Sequence, residues 1–162
     1  MASTYTPIAT TTLSSAAASV TFSSISASYT DLVLVFSGSA TATSYVSVQY
    51  NGDTASNYSV TLLRGNGSAA SSARYSSITE IYTAISSTNT TDINNVIFQI
   101  QNYSNTTTYK TSLSRANNAG VSTEAGVGLW RSTAAINSVK VLSPTNNFAS
   151  GSTFTLYGIK AA

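Results

Sequence analysis

The sequence predicts an all-β fold: an antiparallel two-sheet β-sandwich, jelly-roll-like, with an extended N-terminal arm. Three observations predict it. Short runs of alternating or continuous apolar residues recur along the chain, and Asn, Gly, Ser or Thr closes each of them. No stretch holds a helical period over four turns. No internal repeat sets a regular period, which argues against a β-helix or propeller.

Residues 1–18 read as the arm. Ile8 and Leu13 stand alone there among Ala, Ser and Thr, too little to bury without help, so contact with a neighbouring subunit is expected. Residues 19–162 form the sandwich domain. Val20 and Phe22 open its first strand, with Ile25 beyond. Leu32-Val33-Leu34-Val35-Phe36 is a continuous apolar run before Ser37-Gly38, the pattern of a central strand covered on both faces, with Leu32, Leu34 and Phe36 sharing one of them. Val46, Val48 and Tyr50 alternate next, and Asn51-Gly52 is a strong turn signal.

Tyr58 to Leu63 alternates again and stops at Arg64-Gly65-Asn66-Gly67. Residues 68–77 hold Ser and Ala with little to bury. Ile78, Ile81, Tyr82 and Ile85 lie near helical spacing, but threonines and missing caps favour a short strand or an irregular crossing. Val96, Phe98 and Ile100 mark a clear strand. Tyr109, Thr111, Leu113 and Arg115 share one side of the next, with Lys110 and Ser112 opposite. Val127, Leu129 and Arg131 alternate with Gly126, Gly128 and Trp130. Ile136, Lys140 and Leu142 share one parity with Val139 and Val141 on the other, and this strand and a last one from Thr153 to Ile159 complete eight to ten strands.

Composition narrows the function. The 162 residues include 30 serines and 25 threonines, yet only 7% are charged. Polarity therefore comes from hydroxyls and amides, which suits one copy in a fixed assembly or an extracellular protein better than a freestanding monomer. A net charge of +2 with scattered bases gives no footprint for nucleic acid. Nothing approaches about 18 continuous apolar residues, so no membrane-spanning helix is expected, and the N-terminus has no signal-peptide pattern.

Catalytic constellations are missing. Without histidine or cysteine, a Ser-His dyad, a thiolate and the commonest metal ligands are all unavailable. Five carboxylates remain, Asp31, Asp53, Glu80, Asp92 and Glu124; a glycosidase would need two of them facing across a cleft. Asn51-Gly52-Asp53 has the donor types of a calcium loop but not the density of acids such a site needs, so a plain turn in which Asp53 caps an amide is the expectation. No cofactor and no metal are expected.

Ten tyrosines against five phenylalanines suit wet interfaces or sugar platforms, because tyrosine joins a rigid apolar ring to a polar tip. Tyr50, Tyr58, Tyr75, Tyr82, Tyr103 and Tyr109 are candidates for such a surface. Trp130, the single tryptophan, belongs where sheets or subunits meet. Arg131 should have a fixed partner, with a subunit contact preferred. The candidate interface is thus Ile8, Leu13, Tyr50, Tyr58, Tyr103, Tyr109, Trp130 and Arg131.

Four segments carry a resemblance: Tyr29-Thr30-Asp31-Leu32-Val33-Leu34; Asn51-Gly52-Asp53 with Asn57-Tyr58-Ser59; Gly128-Leu129-Trp130-Arg131-Ser132-Thr133-Ala134-Ala135-Ile136; and Asn147-Phe148-Ala149-Ser150-Gly151-Ser152-Thr153-Phe154-Thr155-Leu156-Tyr157-Gly158-Ile159. Over about residues 18–160 the chain resembles small structural proteins of tailed bacteriophages, marine and cyanobacterial phages in particular. The resemblance implies a non-enzymatic β-sandwich virion component, often trimeric. A short arm on one sandwich points to a capsid decoration or cement protein, with the major capsid protein and copies of itself as partners. The alternative is a tail-fibre or tail-tip protein that binds a host receptor or glycan.

Overall fold

The computed structural model describes residues 4–88, 91–118 and 120–160, with the side chains of 84–88 left aside. Twelve strands are present among them: β1 (Tyr5–Thr12), β2 (Ser19–Phe22), β3 (Asp31–Gly38), β4 (Ser44–Tyr50), β5 (Tyr58–Gly65), β6 (Ala70–Ile78), β7 (Ile81–Thr88), β8 (Asn94–Ile100), β9 (Lys110–Asn118), β10 (Ser122–Trp130), β11 (Val139–Leu142) and β12 (Thr153–Ile159). They form two antiparallel sheets. The larger runs β1-β12-β3-β8-β9-β10-β5-β6 and the smaller β2-β11-β4-β7.

The core lies between the sheets and follows the strand period of two. Leu32, Leu34 and Phe36 of β3 turn inward beside Phe98 and Ile100 of β8, and all five are fully buried. Val48 and Val141 face them from the smaller sheet. Phe36, Phe148 and Phe154 pack with centroids 4.9–5.2 Å apart. Phe148 lies outside the named strands, yet its backbone bridges Ala17 and Ala40 and so locks that loop over the core.

One half of the interface is built from small residues. Ser112 and Ser114 of β9 and Gly126 and Gly128 of β10 face inward, which lets β7 approach closely. A Cβ on Gly128 would stand 2.5 Å from Ser112 Oγ and 2.7 Å from Ile81 Cγ2, closer than packed atoms come. β7 therefore seats on a floor of hydroxyls and glycines.

The expectation for residues 1–18 needs correction. Its described part, from residue 4, carries an extended strand, but that strand lies on its own chain. β1 pairs with β12 from Tyr5↔Ile159 to Thr12↔Thr153, with a register shift between Pro7 and Ala9. A proline has no N–H for the ladder, so an edge strand with a bulge beside Pro7 accommodates it. The following residues are tied down too, by Leu13 N–H to Ser152 O at 2.9 Å and Ser143 N–H to Ala18 O at 3.0 Å. Backbone hydrogen bonds supply the anchorage that the side chains lack.

Two further expectations change. The stretch 68–77 does bury little, yet residues 70–78 form edge strand β6, which pairs with β5 from Gly65↔Ala70 to Tyr58↔Ile78. β3 is fully buried on its inner face and only partly covered on the other, where Val33 is 7% exposed and Val35 is half-buried.

Candidate functional site

The smaller sheet covers one side of the larger. The other side alternates with it in exposure and carries no second layer among the described residues. Register fixes what stands on that open face. Leu63, Ala125, Arg115, Ile97 and Val35 lie abreast on β5, β10, β9, β8 and β3. Two residues along, Thr61, Val127, Leu113, Gln99 and Val33 do the same.

The result is an apolar stripe, exposed on β5, β10 and β9 and half-buried or buried on β8 and β3. Leu63 is 60% exposed, Val127 55% and Leu113 44%. Arg115 stands in the middle of it, exposed, and makes no ion pair among the described residues. Two shallow depressions flank this guanidinium and share Arg115 and Ile97. One, of about 330 Å³, reaches Asn95, Asn117 and Thr123. The other, of about 300 Å³, reaches Tyr5, Gln99 and Leu113. Eight strands about 4.8 Å apart, each about seven residues long, make a face of roughly 800 Å², about one side of a standard protein interface.

Most of the residues expected at an interface are elsewhere. Tyr50, Tyr58 and Tyr103 are fully buried and Trp130 is 2% exposed, so all four belong to the core and their assignment to an interface is corrected. Tyr58 and Trp130 stack at 6.2 Å, and Tyr50 meets Trp130 edge-on at 5.5 Å. Burial pushes the phenols of Tyr50 and Tyr58 well above the ordinary range. The Tyr103 hydroxyl donates to Ser26 O and accepts from Tyr29 N–H. Ile8 and Leu13 are half-buried against the core. Arg131 bonds within the chain, Nη1 to Tyr58 O at 3.2 Å and N–H to Asn57 O at 2.9 Å. Tyr109, at 54% exposure, is the one of the eight left prominent at the surface.

The Asn51-Gly52-Asp53 turn is held by nitrogen donors. Asn51 and Gly52 both have positive φ, 52° and 69°, which Asn and Gly tolerate. Asp53 Oδ1 accepts from Ala55 N–H at 2.8 Å, while Oδ2 accepts from Asn57 Nδ2 at 2.9 Å and Trp130 Nε1 at 2.7 Å. Donors surround this carboxylate, an arrangement that caps the turn. Partial burial works to raise the Asp53 pKa, but the three hydrogen bonds outweigh it and the carboxyl sits below its usual value.

A second surface lies on the far side of the smaller sheet. Tyr45 of β4, Tyr82 of β7 and Tyr75 of β6 make a row, with Tyr82 5.1 Å from the first ring and 5.2 Å from the last. Tyr45 was not among the expected surface tyrosines, and Tyr75 and Tyr82 were. Arg115, Leu113 and Val127 were also missed. Leu113 and Val127 share the parity of Arg115, and that parity faces outward because β7 covers the other.

No protein-family model matches the chain, and no curated protein matches it. Among solved structures, a neighbour is the alginate lyase Aly36B, 8% identical, covering 93% of this chain and 77% of that one with a TM-score of 0.39. Likeness at that level carries no argument about activity.

Proposed function

We propose that the chain is a non-enzymatic structural subunit of a phage virion, a capsid decoration protein that docks on the major capsid protein through the open face of the eight-stranded sheet. The observation that carries the reading is the apolar stripe with Arg115 at its centre. An arginine set among apolar residues is a common anchor of protein interfaces, because its planar fork pairs with a carboxylate once water is excluded. The low charge and hydroxyl-rich surface fit a subunit held in a lattice, where many modest contacts add up. With β1 tied to β12, the flat face takes the docking role first given to the N-terminal arm. Trimerisation belongs to the same proposal.

The test is binding of purified protein to capsid shells lacking it, followed by electron microscopy. Wild-type protein should add density over the whole capsid, while Arg115→Glu and Val127→Asp should fold normally and leave the shells bare. Density confined to the tail, or equal binding by both variants, overturns the proposal. The tail-tip reading draws on a different observation, the tyrosine row on the opposite surface.

A further inference from the structure

We infer that the outer face of the four-stranded sheet, together with β6, carries a binding site for a neutral saccharide, with Tyr45, Tyr75 and Tyr82 as its platform. Each ring is half-buried, so each keeps an accessible part. The two ring pairs meet edge-to-face, at 82° and 77°, so neighbouring rings present differently oriented surfaces. Pyranose rings use both parts of such a tyrosine: their C–H faces lie on the ring and their hydroxyls meet the phenol.

The polar groups beside the rings are buried and hold the platform in place, which leaves ligand contact to the rings and their phenol tips. Ser47 stands opposite Tyr82 in the β4–β7 register. Its hydroxyl is wholly buried and has no well-aligned partner among the described residues. Gln49, two residues on, holds the β6–β7 turn through Nε2 to Thr79 O at 3.1 Å, and Lys140 stands opposite it on β11. Glu80 lies in that turn, 8% exposed. Burial pushes its carboxyl above the usual range, against the opposing pull of Ser47 and Lys140. A carboxyl in that state both donates and accepts over a wider pH range than a surface glutamate does.

The balance of charge selects among ligands. One lysine and one acid that resists ionisation give no pull on phosphate or nucleic acid. A polyanionic sugar would meet Glu80 as a like charge whenever that group ionises. A neutral hexose chain, with C–H faces and uncharged hydroxyls, suits the rings and their phenol tips. This inference stands apart from the capsid reading, since it concerns the opposite surface and is tested on the isolated chain.

The experiment is NMR titration of the full chain with neutral tri- and tetrasaccharides of glucose, galactose and mannose, and with hexuronate oligomers for comparison. At least one neutral oligosaccharide should shift resonances of Tyr45, Tyr75 and Tyr82 saturably. Tyr82→Ala should weaken it about tenfold or more, a loss of about 1.4 kcal/mol, while Tyr82→Phe and Glu80→Gln retain binding within a few-fold. Because Tyr82→Ala removes packing, Tyr45→Ser serves as a second variant, checked for an unchanged fold by its amide spectrum. The inference is overturned if no neutral sugar binds, if only hexuronates bind, if the shifts fall away from these tyrosines, or if folded Tyr45→Ser binds as wild type does.

Discussion

The indole of Trp130 donates to Asp53 Oδ2 at 2.7 Å, joining residues 77 apart in sequence. The carboxylate gathers the Asn51–Asn57 loop around itself and hangs it on the end of β10, while Tyr58 OH donates to the Asp53 carbonyl at 3.0 Å. The single tryptophan thus secures the passage from the smaller sheet to the larger.

Asp53→Asn should therefore destabilise the fold by about 1.5–3 kcal/mol, the range for hydrogen bonds to a charged group, measured by denaturant unfolding at neutral pH with Trp130 fluorescence as the probe. The pH dependence has a definite sign. The folded pKa of Asp53 lies below its ordinary value of 3.8, so its contribution is complete above that value and fades as pH falls through the folded pKa. Glu80 has the opposite shift; its contribution is present at low pH and fades as pH rises. The difference between wild type and Asp53→Asn isolates the first effect, and it should shrink on acidification. A difference independent of pH would refute the assignment.

Gly128→Ala should cost about 1–3 kcal/mol, the usual effect of overpacking, because the new methyl meets Ser112 and Ile81. Val127→Ala, one residue away on the open face, should change stability by no more than about 0.5 kcal/mol. Thermal unfolding of the two variants side by side is the check. Equal effects would mean that β7 does not seat tightly on that floor.

Lys110 is 1% exposed, and its Nζ donates to Thr108 O at 2.8 Å and Thr133 O at 3.1 Å. Burial lowers its pKa. Lys110→Ala removes the apolar stem as well as the charge and should cost about 2–4 kcal/mol by the usual large-to-small penalty. Lys110→Met keeps the stem and should cost less than half as much, since removing a buried charge offsets the lost hydrogen bonds. Unfolding midpoints that rank the two the other way would show that the ammonium, and not the stem, holds the site.

Deleting residues 1–12 removes β1 and exposes the edge of β12. The truncated chain should unfold at lower denaturant and scatter light in a concentration-dependent way, as unpaired edges do. Unchanged stability would mean that this stretch contributes only through a neighbouring copy.

The legible parts of the fold are those where side chains do the holding. Leu32, Leu34 and Phe36, or Val96, Phe98 and Ile100, announce strand and buried face together, because alternation and burial coincide. The two edges of the larger sheet were not legible. β1 and β6 are rich in Thr, Ser and Ala, bury little, and are strands because β12 and β5 offer backbone partners. Which side of a strand is buried also escaped the pattern. On β9 and β10 the inward positions include Lys110, Ser112, Gly126 and Gly128, while Leu113 and Val127 face out.

By itself, then, the sequence determined the all-β class, the central strands and the exclusion of histidine- and cysteine-based chemistry, since these depend on residue type and local period. Tertiary structure decided the rest. The approach of β7 turned the small residues of β9 and β10 inward and left the larger ones on an open face around Arg115. The same packing drew Tyr50, Tyr58, Tyr103 and Trp130 into the core and left Tyr45, Tyr75 and Tyr82 half-buried at the other surface. Contacts between residues far apart in the chain make those choices, and no local pattern records them.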